Sequence, residues 1–426
     1  MAIGVRNRNI KEKAHYTYYI PAVLCKMGGG LALCLVYTFY YTEGGDVSNY
    51  FLTANTFVNV LYDLNFTLFF DMVNFHSNNI HMAGVYDKEY GPILFHNTDY
   101  YALFTVILTV PFCMLGCKSF LATTLLLAYV SFLGLWKLYQ VFIEQFPELQ
   151  KQFAIAIFFV PSVFFWGSGL LKDTYTLSAL GFVTFGVYKF LIRKERKFKY
   201  LLILVLASLV LILIKPYIFF AITPGSLIWL FFNKFASIKN PILKTLALPV
   251  LIATMGSLII LTMQSLGEYL GEYNLDNVLD KAVKTQQDLI RGEQYGSNYH
   301  NIGEFDASFS GLISKVPAAL NMALFRPYIW DSNNPVMVLS GLENLFVLAF
   351  SIFILLKVRI TTLLKSLFSH PLLIFSFLFA LFFAFSVGLT TANYGALVRL
   401  KIPGIPFYLS SLFILFYLNK LRLWRK

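Results

Sequence analysis

Lys172, Lys215, Arg326, Arg399 and Lys401 stand at the edges of apolar runs, while most other lysines and arginines gather in short basic clusters. A Lys or Arg at the bilayer centre costs roughly 2.5–3.5 kcal/mol on insertion scales, and less where the side chain snorkels to the surface. Five such residues at separate run ends point to an anion held at a membrane surface, or to snorkelling toward ordinary anionic headgroups. The natural anion at that depth is a lipid phosphate or pyrophosphate. Arginine grips its oxygens bidentately, and lysine acts as a point charge. Lys26, inside the first apolar run, has no obvious partner in the sequence.

Two acids complete the chemistry. Asp46 lies in Glu43-Gly44-Gly45-Asp46-Val47-Ser48-Asn49-Tyr50, just beyond the first apolar run, where the glycines allow a sharp exit turn. It either caps the helix that follows or serves as general base for an acceptor hydroxyl, a role typically worth ~10²–10⁴ in rate. Asp173, in Gly167-Ser168-Gly169-Leu170-Leu171-Lys172-Asp173, is the second acid at a run edge and has the same alternative as a cap for Thr174–Ile192. Two carboxylates can share a divalent cation, but no tight cluster requires one. His76, His81 and His96 have no metal-ligand spacing, and no phosphate-binding Gly-rich loop, nucleophile elbow or H-E-x-x-H is present. Gly28-Gly29-Gly30 suits close helix packing.

The elements that position these residues follow from composition. Of 426 residues, 58% are hydrophobic and only 13% charged, against about a quarter charged in a water-soluble domain. Several continuous apolar runs reach the ~18 residues that cross a hydrocarbon core as helix, whereas a β-barrel reads as short alternating segments. The fold class is therefore all-α: a polytopic transmembrane protein of about ten spans, organised as a single membrane domain over residues 1–426. The net charge of +12 sits in short loops and reads as orientation rather than nucleic-acid binding. The four cysteines lie in or beside apolar runs and read as small buried residues.

Arg6, Arg8, Lys11 and Lys13 precede the first run, which reads as a retained signal anchor with its N-terminus inside. The expected spans are Tyr18–Tyr41, Ser119–Phe142, Phe153–Gly167, Tyr175–Ile192, Leu201–Ile214, Ile218–Phe232, Thr245–Ser265, Val336–Leu356, Leu372–Leu389 and Ile402–Leu418. Arg193-Lys194-Glu195-Arg196-Lys197-Phe198-Lys199 is the strongest basic cluster and marks the cytoplasmic side. Counting back from it, Tyr101–Gly116 does not cross and dips into the outer leaflet. Both termini then face the cytoplasm. Two extracytoplasmic loops result. The first, 42–118, holds an amphipathic stretch, Asn49–Phe75; the second, 266–335, holds amphipathic helices at Leu275–Arg291 and Ser308–Leu324.

Four motifs in this order resemble the GT-C superfamily of membrane glycosyltransferases, in particular the polyprenyl-phosphate-sugar-dependent branch that includes protein mannosyltransferases and the lipid A aminoarabinose transferase. They are Gly45-Asp46 with Tyr50 and Ala54; Pro161-Ser162 through Trp166-Gly167-Ser168-Gly169 to Lys172-Asp173; Leu213-Ile214-Lys215-Pro216-Tyr217; and Leu397-Val398-Arg399-Leu400-Lys401-Ile402-Pro403 with Pro406-Phe407. The likeness covers the topology of roughly the first 260 residues plus the last motif. Leu324-Phe325-Arg326-Pro327-Tyr328-Ile329-Trp330 matches no GT-C motif. It is similar to segments of bacterial surface-polysaccharide membrane proteins.

The resemblance implies a glycosyltransferase of the bacterial inner membrane that takes a sugar from an undecaprenyl-(pyro)phosphate carrier on the outer face. Membrane lipid surrounds it, the acceptor is a glycan, lipid or protein, and nucleic acid is not a partner. Asp46 is the expected base. Asp173 orients the acceptor or holds a divalent cation, though no cofactor is required by the sequence. Lys215, Arg399, Lys401, Lys172 and Arg326 are the expected phosphate-binding residues. A surface-polysaccharide polymerase or ligase would use the same outer cations. A lipid flippase or transporter would instead spread charges through the bilayer with helices broken at midplane, and a non-catalytic membrane subunit is a further alternative.

Overall fold

The computed structural model describes residues 2–41, 45–73, 89–93, 99–236, 284, 287, 299–303, 309–358, 360–367 and 369–424. Among these the chain is all-helical, and its only β pairing is an isolated bridge between Tyr299 and Asn393. Five helices are long and apolar enough to cross a membrane, with a sixth if one bent pair counts as a single span. That is the build of a membrane protein.

The helices that carry the argument are α1 (Tyr19–Phe39), α2 (Asp46–Tyr62), α3 (Tyr100–Leu115), α4 (Phe120–Gln145), α5 (Lys172–Gly186), α6 (Phe198–Ile214), α7 (Pro216–Ala236), α8 (Val316–Phe325), α9 (Pro335–Lys357), α10 (Pro371–Thr390), α11 (Tyr394–Leu400) and α12 (Ile405–Trp424). The chain divides into two compact units. The first is Met1–Tyr139 with Val163–Phe185 and Leu202–Lys215; the second is Gln140–Ser162 with Gly186–Leu201 and Pro216–Lys426.

In the first unit, Gly45 has φ 133° and turns the chain out of α1 into α2. The apolar face of α2 buries Tyr50, Ala54, Phe57 and Val58 against Ala102, Val106, Val110 and Cys113 of α3. Of the expected amphipathic stretch Asn49–Phe75, residues 49–73 form most of α2 and the short helix Phe66–Val73, and Asn74 and Phe75 lie outside the described residues. Helices α4 and α5 cross at glycines: a Cβ on Gly181 would lie 2.1 Å from the Gly134 carbonyl oxygen. Such close approach is how membrane helices associate without a hydrophobic driving force. Cys34 and Cys113 are buried as expected of small apolar residues, but Cys117 is exposed in a turn.

In the second unit α10 is central and packs against α7, α8 and α12. Asn334, His370 and Asn393 cap α9, α10 and α11, each accepting a backbone N–H. Proline follows the first two caps, where its missing donor costs nothing.

Two of the expected spans differ from the structure. Phe153–Gly167 is not one span. It is two short helices, Gln150–Phe158 and Pro161–Trp166, because Pro161 lacks the N–H a continuing helix needs and disfavours helical backbone before it. Ile402–Leu418 begins three residues later, as α12, and the short α11 precedes it across a bend of 64°. Leu201–Ile214 and Ile218–Phe232 lie within shorter apolar helices, as does Tyr101–Gly116 apart from its last residue. Ser308–Leu324 is broken at Lys315 into Phe309–Ser314 and α8. Thr245–Ser265 lies outside the described residues, as do His76, His81, His96 and nearly all of Leu275–Arg291.

His370 gives the fold a pH signature. Its Nδ1 accepts the Leu372 N–H and its ring packs 4.4 Å from that of Phe146. Burial pushes its pKa down to about 4. The unfolded chain therefore binds a proton, below the ordinary histidine value, that the folded chain refuses. Stability is full above that value and is lost as pH falls toward about 4, by up to about 3 kcal/mol. Thermal unfolding in detergent across this range should show the loss. His370→Asn keeps a capping acceptor and should flatten it; an unchanged slope would refute the assignment.

Candidate functional site

Within the first unit, Lys172 and Asp173 form the first turn of α5. Lys172 Nζ lies 3.0 Å from Asp99 Oδ2, and Asp99 also caps α3 by accepting the Ala102 N–H. Lys215 follows the last residue of α6 and donates to Asp173 Oδ1 at 2.5 Å. This second pair is nearly dry, with side chains 8% and 2% exposed. The charges of Lys215 and Asp46 both act on Lys172. Asp46 is the first residue of α2, with Gly45 at the cap position. It is therefore a first-turn carboxylate, not the N-cap. Four of the expected site residues thus fall in one electrostatic cluster, joined by Asp99, with three carboxylates against two ammoniums. Lys172 and Lys215 are ion-paired here, which lowers their pull on an incoming phosphate.

Lys26 has partners that its sequence position did not reveal. Its ammonium is fully buried and donates to the carbonyls of Gly167 and Val163, while Ser131 Oγ donates to Gly167 as well. It therefore ties the turn that delivers Lys172 and Asp173 to α1.

Within the second unit a different arrangement surrounds Arg326, at the end of α8. Its Nη1 donates to Tyr394 Oη at 2.7 Å and to Asp331 Oδ2 at 3.4 Å, and its guanidinium lies 4.9 Å over the Tyr328 ring. Its Nε is buried and has no hydrogen-bond partner among the described residues. Lys401, at the bend between α11 and α12, is 4% exposed. Its Nζ donates to Asn344 Oδ1 at 2.6 Å and to the carbonyl of Arg326 itself at 2.9 Å. The amide nitrogen of Asn344 donates to the Pro327 carbonyl. Arg399, half-buried, is in the last turn of α11. Arg326 and Lys401, far apart in sequence, are thus brought together. Nη1 of the guanidinium is fixed, and Nε is met by none of the described residues. That geometry suits bidentate contact with a phosphate or carboxylate.

Several members of this site went unread in the sequence. Glu343 is buried on α9 and accepts from Ser162 N–H at 2.7 Å and Ser162 Oγ at 2.6 Å. Glu343 and Asn344 interrupt an otherwise apolar helix, and ionisable groups at such depth mark function by default. That signal was present. His300 gave none: its backbone N–H donates to the Ala392 carbonyl beside the Tyr299–Asn393 bridge. Burial, then the charge of Arg326, pushes its imidazole pKa down, with Asp331 opposing. Among the described residues no three His, Cys, Asp or Glu side chains are grouped to hold a metal ion.

No family model matches the chain, no curated protein matches it in sequence, and no solved structure matches its fold.

The Asp173–Lys215 pair predicts a stability pattern. Removing one partner leaves a buried charge uncompensated, at a cost of roughly 3–5 kcal/mol. Asp173→Leu and Lys215→Met should each lower the unfolding temperature in detergent, and the double variant should recover most of the loss. Additive losses in the double variant would contradict a dry pair.

Proposed function

We propose that the chain is an integral membrane glycosyltransferase of the bacterial inner membrane. It takes a sugar from an undecaprenyl-(pyro)phosphate carrier on the outer face and passes it to a glycan, lipid or protein acceptor. The observation that carries this reading is the pinned guanidinium of Arg326, with a buried unsatisfied donor, beside the buried ammonium of Lys401 at a helix bend. Donors fixed before the substrate arrives stabilise charge as it grows on a leaving phosphate, without reorganisation.

In this reading Arg326 and Lys401 hold the leaving phosphate, with Arg399 two residues before Lys401. Asp46, in the other unit, takes its role as base for an acceptor hydroxyl from the resemblance alone. Asp173, Lys215 and Lys172 orient the acceptor through their ion pairs. The basic cluster from Arg193 to Lys199 and the basic termini face the cytoplasm. Arg326 belongs to the segment that is similar to surface-polysaccharide proteins, so a glycan acceptor, and hence a polymerase or ligase, fits as well as a single-sugar transferase.

The bend of 64° between α11 and α12 favours a second reading. Discontinuous helices with charge at the break are a device of transporters, and a flippase for the same phospholipid carrier would use the same cations.

Purified protein assayed with a polyprenyl-phosphate sugar separates these readings. Arg326→Lys keeps the charge but loses the fork, and should lower kcat by about 10²–10³, as removal of a charge-stabilising donor does. Asp46→Asn should lower it by ~10²–10⁴. Translocation of the lipid without sugar transfer would overturn the transferase reading in favour of the flippase. Near wild-type transfer by Asp46→Asn would remove that residue as base.

A further inference from the structure

We propose that the second unit holds a proton-linked anion site, in which Lys401 receives a phosphate-class anion while Glu343 takes up one proton. This rests on the phosphate reading above and goes beyond it by naming a second ligand, the proton.

Lys401 and Asn344 line a small cavity whose other walls are mostly apolar, among them Leu324, Phe383 and Gly404. Two of the three ammonium protons of Lys401 go to Asn344 and to the Arg326 carbonyl. Among the described residues the third has no acceptor, so the ammonium can still bind. Both of its acceptors are neutral. Among the described residues Glu343, one residue before Asn344 on α9, also has only neutral hydrogen-bond partners, both from Ser162. The positive charge that acts on Glu343 is that of Lys401. The two groups therefore compensate each other's charge across the amide of Asn344, in surroundings where an uncompensated charge is expensive.

The charged and titratable groups on elements packed against α9 are few. They are Arg399 and Tyr394 on α11 with Lys401 just beyond, Arg326 after α8, Asp331 and Tyr328 in the turn before α9, and Tyr408, Tyr417, Lys420 and Arg422 on α12. Arg326 is engaged with Asp331, and the Tyr408 hydroxyl with Ser351. An anion on Lys401 adds negative charge to this balance and takes from Glu343 its counter-charge. A proton on Glu343 restores the balance. Ser162 is suited to both states: its N–H continues to donate to one carboxyl oxygen, and its hydroxyl, donor or acceptor in turn, can rotate to accept from the other. Neither state leaves a buried orphan. Affinity for the anion should then fall as pH rises, since the proton that accompanies binding becomes scarcer.

Calorimetric titration of the full-length protein in detergent tests this, using a short-chain polyprenyl phosphodiester. Such a diester carries no proton that titrates near neutrality. Running it in buffers of different ionisation enthalpy counts protons. The expected result is uptake approaching one proton per anion and an affinity that falls by up to about tenfold per pH unit. Glu343→Gln should bind with no proton uptake and no pH dependence. Binding by the wild type without proton uptake overturns the inference and leaves the phosphate reading intact. Equal uptake by Glu343→Gln overturns the assignment to Glu343. No binding at all by the wild type overturns both. Should Glu343→Gln fail to fold, the infrared carbonyl band of a protonated buried carboxyl in the wild type decides. Its growth on adding the diester supports the proposal, and its absence overturns it.

Discussion

A charge inside an apolar helical bundle must be answered from within the bundle, because no water is there to answer it. This constraint organises the polar residues of the chain. Lys26 is answered by backbone carbonyls, Lys215 by the carboxylate of Asp173, and Lys401 by an amide oxygen and a carbonyl. Each answer fixes a loop or helix end in place. The turn from Val163 to Leu171 is held to α1 by Lys26, and the segment from Arg326 to Asp331 is held to α9 and α11 by Asn344 and Tyr394.

The two clusters answer their charges differently, and the difference bears on function. In the first unit the lysines are matched to acids, Lys172 to Asp99 and Lys215 to Asp173, and the sum with Asp46 is one negative charge in excess. Such a cluster suits a hydroxyl-bearing acceptor or a base better than a phosphate. In the second unit Lys401 rests on neutral groups, and Arg326 keeps a buried donor unused. Donors left over after the fold is satisfied are the ones a ligand can take. Phosphate binding is for this reason assigned to Arg326 and Lys401 rather than spread over all five cations.

Much of the architecture was legible because apolar run length is a direct consequence of bilayer thickness. Spans at Ser119–Phe142, Val336–Leu356 and Leu372–Leu389 correspond to single helices a few residues longer. Where the reading went astray, proline or local capping decided. Pro161 splits one expected span, and a bend before Ile405 moves the start of another by three residues. Lysines and arginines at run edges stood out as chemistry because their insertion cost makes them conspicuous. Their pairing did not, because a partner such as Asp99 or Asn344 is set by tertiary packing and leaves no trace in spacing. Glu343 was the readable residue left unread: a lone carboxylate in an apolar helix carries the same insertion cost as the lysines. His300 and Asp331 lie in polar segments, where nothing in the local pattern separates a site residue from an ordinary one.

The central claim is that Arg326 and Lys401 bind the phosphate of a polyprenyl carrier. Native mass spectrometry of the protein incubated with polyprenyl phosphate and with the uncharged polyprenol of the same length tests it most directly. A one-to-one adduct with the phosphate that is absent for the polyprenol, and is lost in Lys401→Met and Arg326→Gln, is the predicted result. Equal retention of both lipids, or retention of the phosphate by both variants, would contradict the account.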